Sequence, residues 1–278
     1  MGIGTEEQLT PAPGAGADRE GLQAEGAEQD RLETYVAELH VHTVLSPCAE
    51  VEMIPPLIVQ AALARGINLI AVTDHNASAN VLAVQKAAAG TGLVVWPGLE
   101  LQTREEVHLL CLFDTLESLS AWQAVVDERL PPLENNIEFF GEQFAVDETG
   151  AFIRREPRLL LTSASLSLKE AIESVTQLGG LAIPAHVDRK AFGLIANLGF
   201  VPTDVSIEAL EISRHLNPQE AAHRFPQIVG FPLIQSGDVH RLSEFLGANV
   251  LTMAAPTIPE LRLALQGRMK RRLTVLTS

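Results

Sequence analysis

The chain carries eight histidines, and six of them stand where short apolar runs end or begin. His40 and His42 close one run as His-Val-His. Side chains at i and i+2 of a strand face the same side, so both imidazoles can reach one ion. His75 follows a second run in Thr73-Asp74-His75-Asn76, and Glu100 ends a third in Pro97-Gly98-Leu99-Glu100. His108 opens a fourth, Val107-His108-Leu109-Leu110, and His186 closes a fifth, Pro184-Ala185-His186. Asp238 and His240 repeat the i, i+2 spacing in Gly237-Asp238-Val239-His240. Each piece alone has a plain alternative: His-x-His as two polar strand residues, Asp-His as a capped turn, His108 as a core histidine. Six imidazoles and two carboxylates in one pattern instead form a nitrogen and oxygen ligand set. It suits zinc, manganese or iron better than calcium or magnesium alone. His215 follows the sixth run, and His223 falls on a surface helix over 219–224.

These residues need elements that bring them together. Strand-length apolar runs lie at 35–41, 69–73, 93–101, 107–113, 181–184, 209–212, 232–235 and 249–253. Helical patterns fall between them at 54–65, 77–89, 119–130, 168–178 and 258–265, several ending at glycine. Strand–helix alternation predicts an α/β fold with a parallel sheet, and about seven or eight strands favour a barrel. In a parallel barrel the strand C-termini open onto one mouth, where active sites sit. Seven of the eight candidate ligands lie at such ends; only His108 lies at a beginning. Residues 131–167 break the rhythm with four phenylalanines around Asp147-Glu148-Thr149-Gly150, which predicts an inserted hairpin or cap. Residues 1–33 are rich in Gly, Ala, Glu, Gln and Pro and read as a disordered acidic tail before a barrel domain over 34–278.

Composition excludes several classes. Twenty basic and 35 acidic residues give a net charge of −15, of which residues 1–33 supply −6 (two arginines against eight acids). Such a surface argues against nucleic acid, and the one dense basic run is Arg268, Lys270, Arg271 and Arg272. No apolar run reaches the ~18–20 residues of a membrane helix, and the start lacks a signal-peptide pattern. Two cysteines make no disulfide framework, so a cytoplasmic setting is the expectation. There is no phosphate-loop motif and no convincing Ser-His-Asp or Cys-His arrangement.

The ordered motifs His40-Val-His42-Thr, Thr73-Asp74-His75-Asn76, Pro97-Gly98-Leu99-Glu100, Val107-His108-Leu109-Leu110, Pro184-Ala185-His186 and Gly237-Asp238-Val239-His240 resemble those of the polymerase-and-histidinol-phosphatase (PHP) family. The resemblance runs from Leu39 to about Gly267 and is nearest to the stand-alone metal-dependent phosphoesterases. It implies a distorted (β/α)7 barrel with two or three divalent ions (zinc, manganese or iron) at its C-terminal mouth. It also implies one ion on His40, His42, Glu100 and Asp238, and a second sharing Glu100 with His108 and His186. A third would use His75, His240 and a residue after the His-x-His motif. Members commonly show Asp or His just after Thr-x-x-Ser; here the run is Thr43-Val44-Leu45-Ser46-Pro47-Cys48-Ala49-Glu50. Pro47 cannot ligate, which leaves Cys48, as a thiolate, or Glu50.

A bridged pair of ions would activate water against phosphorus without a side-chain nucleophile. If the third ion is absent, His75 or His240 would protonate the leaving alcohol, with Asp74 orienting His75. Arg189, Arg214 and His215 are the candidates for holding the phosphate. The expected activity is hydrolysis of a small phosphate ester of nucleotide or sugar-phosphate type. The alternatives are an exonuclease-like phosphodiesterase and a catalytically silent metal-binding regulator. The sequence leaves the oligomeric state open.

Overall fold

The structure is a computed structural model that describes residues 1, 2, 4 and 31–276. Most of the acidic tail expected over 1–33 lies outside the described residues. Its end does not: the first strand, β1, starts at Glu33 and runs to Val41.

The elements continue as α1 (Pro55–Ala64), β2 (Leu69–Val72), α2 (Val81–Ala88), β3 (Val94–Gln102), β4 (His108–Leu112) and α3 (Leu116–Arg129). Then come α4 (Ile137–Phe140), β5 (Phe144–Val146), β6 (Phe152–Arg155), α5 (Leu168–Gln177), β7 (Leu181–Pro184) and α6 (Leu194–Leu198). The chain closes with β8 (Leu210–Ile212), α7 (Pro218–Arg224), β9 (Leu233–Gln235), β10 (Asn249–Met253), α8 (Ile258–Leu265) and β11 (Arg272–Val275). Local chemistry sets several starts. Thr115 caps α3 by accepting from Ser118 N, and Ser167 and Glu170 form a reciprocal capping box on α5. Pro55 and Pro218 open α1 and α7, where a missing N–H costs nothing.

Seven strands form one sheet in the order β11-β10-β1-β2-β3-β4-β7, and β8 pairs with β9. The sheet curls into a half-barrel, but not as the uniformly parallel sheet expected from alternation. Only β1–β2, β2–β3 and β8–β9 are parallel; β3–β4, β4–β7, β1–β10 and β10–β11 are antiparallel. The reason lies between Gln102 and His108. Five residues make a turn, too short for the crossover that a parallel partner needs, so β4 must return alongside β3. Single backbone bonds at the mouth link the remaining strands. Val187 N donates to Glu211 O (2.8 Å), and Val239 exchanges bonds with His40 O and His42 N (2.9 Å each).

Alternation along β1 sends Tyr35, Ala37 and Leu39 into one apolar core while Glu38 and His40 face the other way. In β4, Leu110 and Leu112 join that same core, and Leu109 and Cys111 pack in a second, larger one. Both faces of the sheet are therefore covered, and polar side chains between them need partners. Within residues 131–167, β5 and β6 form a hairpin whose turn is tied by Asp147 Oδ1 accepting from Thr149 N (2.8 Å) and Ala151 N (3.0 Å). The segment after the hairpin is fastened to the mouth by Asn76, whose Nδ2 donates to Leu160 O and Thr162 O (2.8 Å each).

Candidate metal centre

Glu100 is the centre of the site. It lies near the end of β3, is buried, and faces five imidazoles. His108 Nδ1 lies 2.8 Å and His40 Nε2 3.2 Å from Oε1, with His186 Nε2 at 3.3 Å. His75 Nδ1 lies 2.9 Å and His42 Nε2 3.5 Å from Oε2. The antiparallel turn explains why His108 belongs here although it starts a strand. Its register partner is Gln102, so the start of β4 lies beside the end of β3. Asp238 Oδ1 approaches His40 Nε2 (3.2 Å) and His42 Nε2 (3.3 Å) from the opposite side.

The donor set fits metal ions better than it fits a hydrogen-bond network. Glu100 Oε2, both ring nitrogens of His108 and His186 Nδ1 are buried and have no hydrogen-bond partner, although carboxylate and imidazole atoms lie under 3 Å apart. Glu100 and His108 also offer ligand atoms to one group with His75, where an ion would satisfy them. His40 Nε2 and His42 Nε2 also face each other at 3.1 Å. Three groups hold ligand atoms mutually within 4.8 Å: His40, His42 and Asp238; His75, Glu100 and His108; and His42, His75 and His240. Charge points the same way. Burial would lower the His40 imidazole, yet Glu100, Glu211 and Asp238 raise it well above its ordinary value. Burial would raise the Glu100 carboxyl, yet His108, His40 and His75 hold it well below. Burial brings His108 down to about 4 despite Glu100, so its imidazole is neutral and ready to ligate. His186 and Asp238 also sit in the left-handed backbone region (φ 30° and 49°), a strain that clusters at functional sites.

Supporting side chains orient this set. Glu211, on β8, bonds His40 Nδ1 through Oε1 (3.1 Å) and accepts from His186 N (3.0 Å). It thereby turns Nε2 of His40 toward the cluster. Glu38 accepts from Gly237 N, Leu246 N and Gly247 N and ties the Asp238 loop to β1; burial raises its carboxyl to about 7 against those bonds. Glu211 and Glu38 escape sequence reading because an acid inside an apolar run looks like any exposed strand position. Asp74 holds the loop after β1, accepting from Thr43 N, Thr43 Oγ1 and Ser46 Oγ (2.7 Å each). Ser46 Oγ in turn meets His42 Nδ1 (2.9 Å) and accepts from His75 N (3.2 Å). Asp74 thus acts on His75 through the Ser46 hydroxyl and the backbone, not by a direct bond to its ring.

At the rim, Cys48 Sγ stands 3.1 Å from His240 Nε2. Desolvation would raise its thiol, but His75 and His240 pull it down to about 6. Glu50 points elsewhere and pairs with Arg241 Nε (2.7 Å). The open cavity above the cluster has a volume of about 620 Å³, and Cys48, His75, His108, His186, Asp238 and His240 all reach it. Arg189 also lines it, with Nη1 on Asp238 Oδ2. Lys190, Gln102, Phe140, Leu161 and Phe192 complete the wall, and none of them stands out by sequence spacing. Arg214 and His215 are not brought in. The Arg214 guanidinium donates to Gly237 O behind the site, and His215 lines a separate surface cavity with His223.

The family model of the PHP domain matches residues 38–195, more than half of the chain. The chain belongs to the PHP family. The match spans six of the eight candidate ligands, from His40 to His186. Among solved structures, the chain is similar to the lesion-specific endonuclease PfuEndoQ from Pyrococcus furiosus (TM-score 0.63, 19% identity, covering 87% of this chain and 58% of that one). Endonuclease Q in complex with a 27-mer duplex bearing an abasic lesion at the active site gives a TM-score of 0.57 at 19% identity, with the same coverage. A candidate metal-dependent phosphoesterase from Bifidobacterium adolescentis gives 0.51 at 17% identity, covering 80% and 89%. At these identities the likeness is one of fold. The chain spans about 58% of the endonuclease chains. No curated protein matches the sequence. The expectation against nucleic acid conflicts with this finding, since a protein of similar fold was solved with duplex DNA. Among the described residues no helix is long and apolar enough to cross a membrane.

Proposed function

We propose that this PHP protein is a metal-dependent hydrolase of small phosphate esters, working at the mouth of a distorted (β/α)7 barrel. The observation that carries the reading is Glu100, one buried carboxylate facing five imidazoles with its own Oε2 unpartnered. His40, His42, Glu100 and Asp238 would hold one ion, and Glu100, His108 and His186 a second. His75, His240 and Cys48 would hold a third. Ions bound there supply a water activated at neutral pH and a positive field for phosphoryl oxygens.

The chain's own groups do the rest. Arg189 turns its guanidinium toward the cavity beside Asp238 and is placed to bind a phosphate oxygen. Lys190 adds a second cation on the same wall. His240 is partly open to the cavity and holds Nδ1 3.0 Å from Asp238 O, so its Nε2 is the group placed to protonate a leaving alkoxide when it is not ligating. Glu211 and the Asp74–Ser46 pair keep the imidazoles from turning between cycles.

A second reading, endonuclease-like cleavage, is favoured by the likeness to endonuclease Q. The test is metal analysis together with hydrolysis of p-nitrophenyl phosphate and of duplex DNA with an abasic site, in the wild type and in Glu100→Gln. Bound ions and ester hydrolysis that both fall in the variant uphold the proposal. Cleavage confined to DNA and falling steeply with salt replaces it with the second reading. Less than one ion per chain after zinc and manganese supplementation would sink both.

A further inference from the structure

The loop after β7 carries more than a phosphate-binding cation. Phe192 lies with its ring parallel to that of His108, centroids 4.4 Å apart and planes 7° apart. One face of the phenyl ring is thus covered by a buried imidazole. The residue is 37% exposed and lines the cavity, as Phe140 does. An aromatic ring open to a polar cavity offers a planar ligand a surface to stack on.

The loop is built to hold the ring there. Phe192 adopts φ 59°, a conformation that a bulky L-residue avoids. Its carbonyl accepts from His108 N (3.0 Å), which fixes the loop to the start of β4. Arg189 N donates to His186 O (2.9 Å), closing a turn directly after a ligand. Gly193 follows, and a Cβ there would overlap the Arg189 carbonyl, so the loop folds tightly only with glycine. Five consecutive residues therefore present two cations and one aromatic face to the same cavity.

We infer that this site selects phosphate esters whose alcohol carries a planar ring, which stacks on the free face of Phe192 while Arg189 and Lys190 hold the phosphoryl group. The inference rests on the phosphoesterase reading and deepens it. A cavity of about 620 Å³ accommodates a phosphate and one ring system. Phe192 is a specificity residue: it meets the substrate away from the reacting atoms, and its selectivity is expressed in KM.

The test compares benzyl phosphate with cyclohexylmethyl phosphate, whose leaving alcohols are alike in size and differ in planarity. On the metal-loaded wild type, kcat/KM should favour the benzyl ester on the order of tenfold, through KM. In Phe192→Leu the ratio should fall to near one, and Phe192→Trp should restore it. Binding of benzylphosphonate and cyclohexylmethylphosphonate, measured by calorimetry, gives the same comparison without turnover. A ring preference in binding with no hydrolysis of either ester leaves this inference standing and removes the phosphoesterase reading. Equal affinities in the wild type, no binding of either phosphonate, or a preference that survives in Phe192→Leu overturns the inference.

Discussion

The inner and outer parts of the site are held in different ways. Around Glu100 every ligand is buried, and the rings are oriented by side chains that do not face the cavity: Glu211 for His40, Ser46 and Asp74 for His42. At the rim, Cys48 is exposed, and His240 leans on a backbone carbonyl and on Cys48 itself. The inner cluster is preorganised, with its desolvation cost already met by folding. The rim is wet, so its groups gain less from each contact and exchange more readily. In the proposed function, the inner cluster would hold its ions more firmly than the rim.

The comparison breaks most visibly at Glu100. Glu100→Gln removes the charge that five imidazoles face. Metal retention at the inner cluster should be lost, with turnover down on the order of a thousandfold or more, equivalent to several kcal/mol of transition-state stabilisation. Elemental analysis and steady-state kinetics on the same preparation check this. Glu211→Gln touches no cavity and removes only the support of His40 and His186. Affinity for the inner ions should fall about 10–100-fold in chelator competition, while the metal-free protein keeps its fold by circular dichroism. Unchanged affinity would show that packing alone orients His40.

Cys48→Ser acts on the rim. About one ion per chain should be lost, and the cobalt-substituted protein should lose its thiolate charge-transfer absorption while the inner ions stay. A band that survives in Cys48→Ser but disappears in Glu50→Gln would move the third ligand to Glu50. The smallest effect is expected outside the cavity. His215→Ala should change KM by less than about twofold, as surface substitutions away from a site do. A tenfold rise would place His215 at the substrate after all.

The candidate ligands were legible in the sequence because each is tied to an element end. His40-Val-His42 and Asp238-Val239-His240 use the period of two that an extended chain imposes, and Leu181–Pro184 and Asn249–Met253 form strands over the expected bounds. Strand direction was not legible. The alternation of strands and helices suggested a parallel sheet, and His108 then looked misplaced; the five-residue turn before it reverses β4 and removes the difficulty. Arg214 and His215 show the converse. They follow a strand in the same manner as His186, but the Arg214 guanidinium is taken up by the Gly237 carbonyl and His215 lines a separate surface cavity.

The sequence by itself determined the kinds of donor and their order along the chain, because residue type fixes ligand chemistry and local spacing fixes which side chains share a face. Only the tertiary structure decided which donors meet. Glu211 with His40, Glu38 with the Asp238 loop, and the Cys48 rather than the Glu50 side chain with His240 are contacts between segments far apart in the chain, or choices between neighbours in one loop. Such contacts follow from strand pairing and loop packing, which depend on the whole core and not on any window of residues.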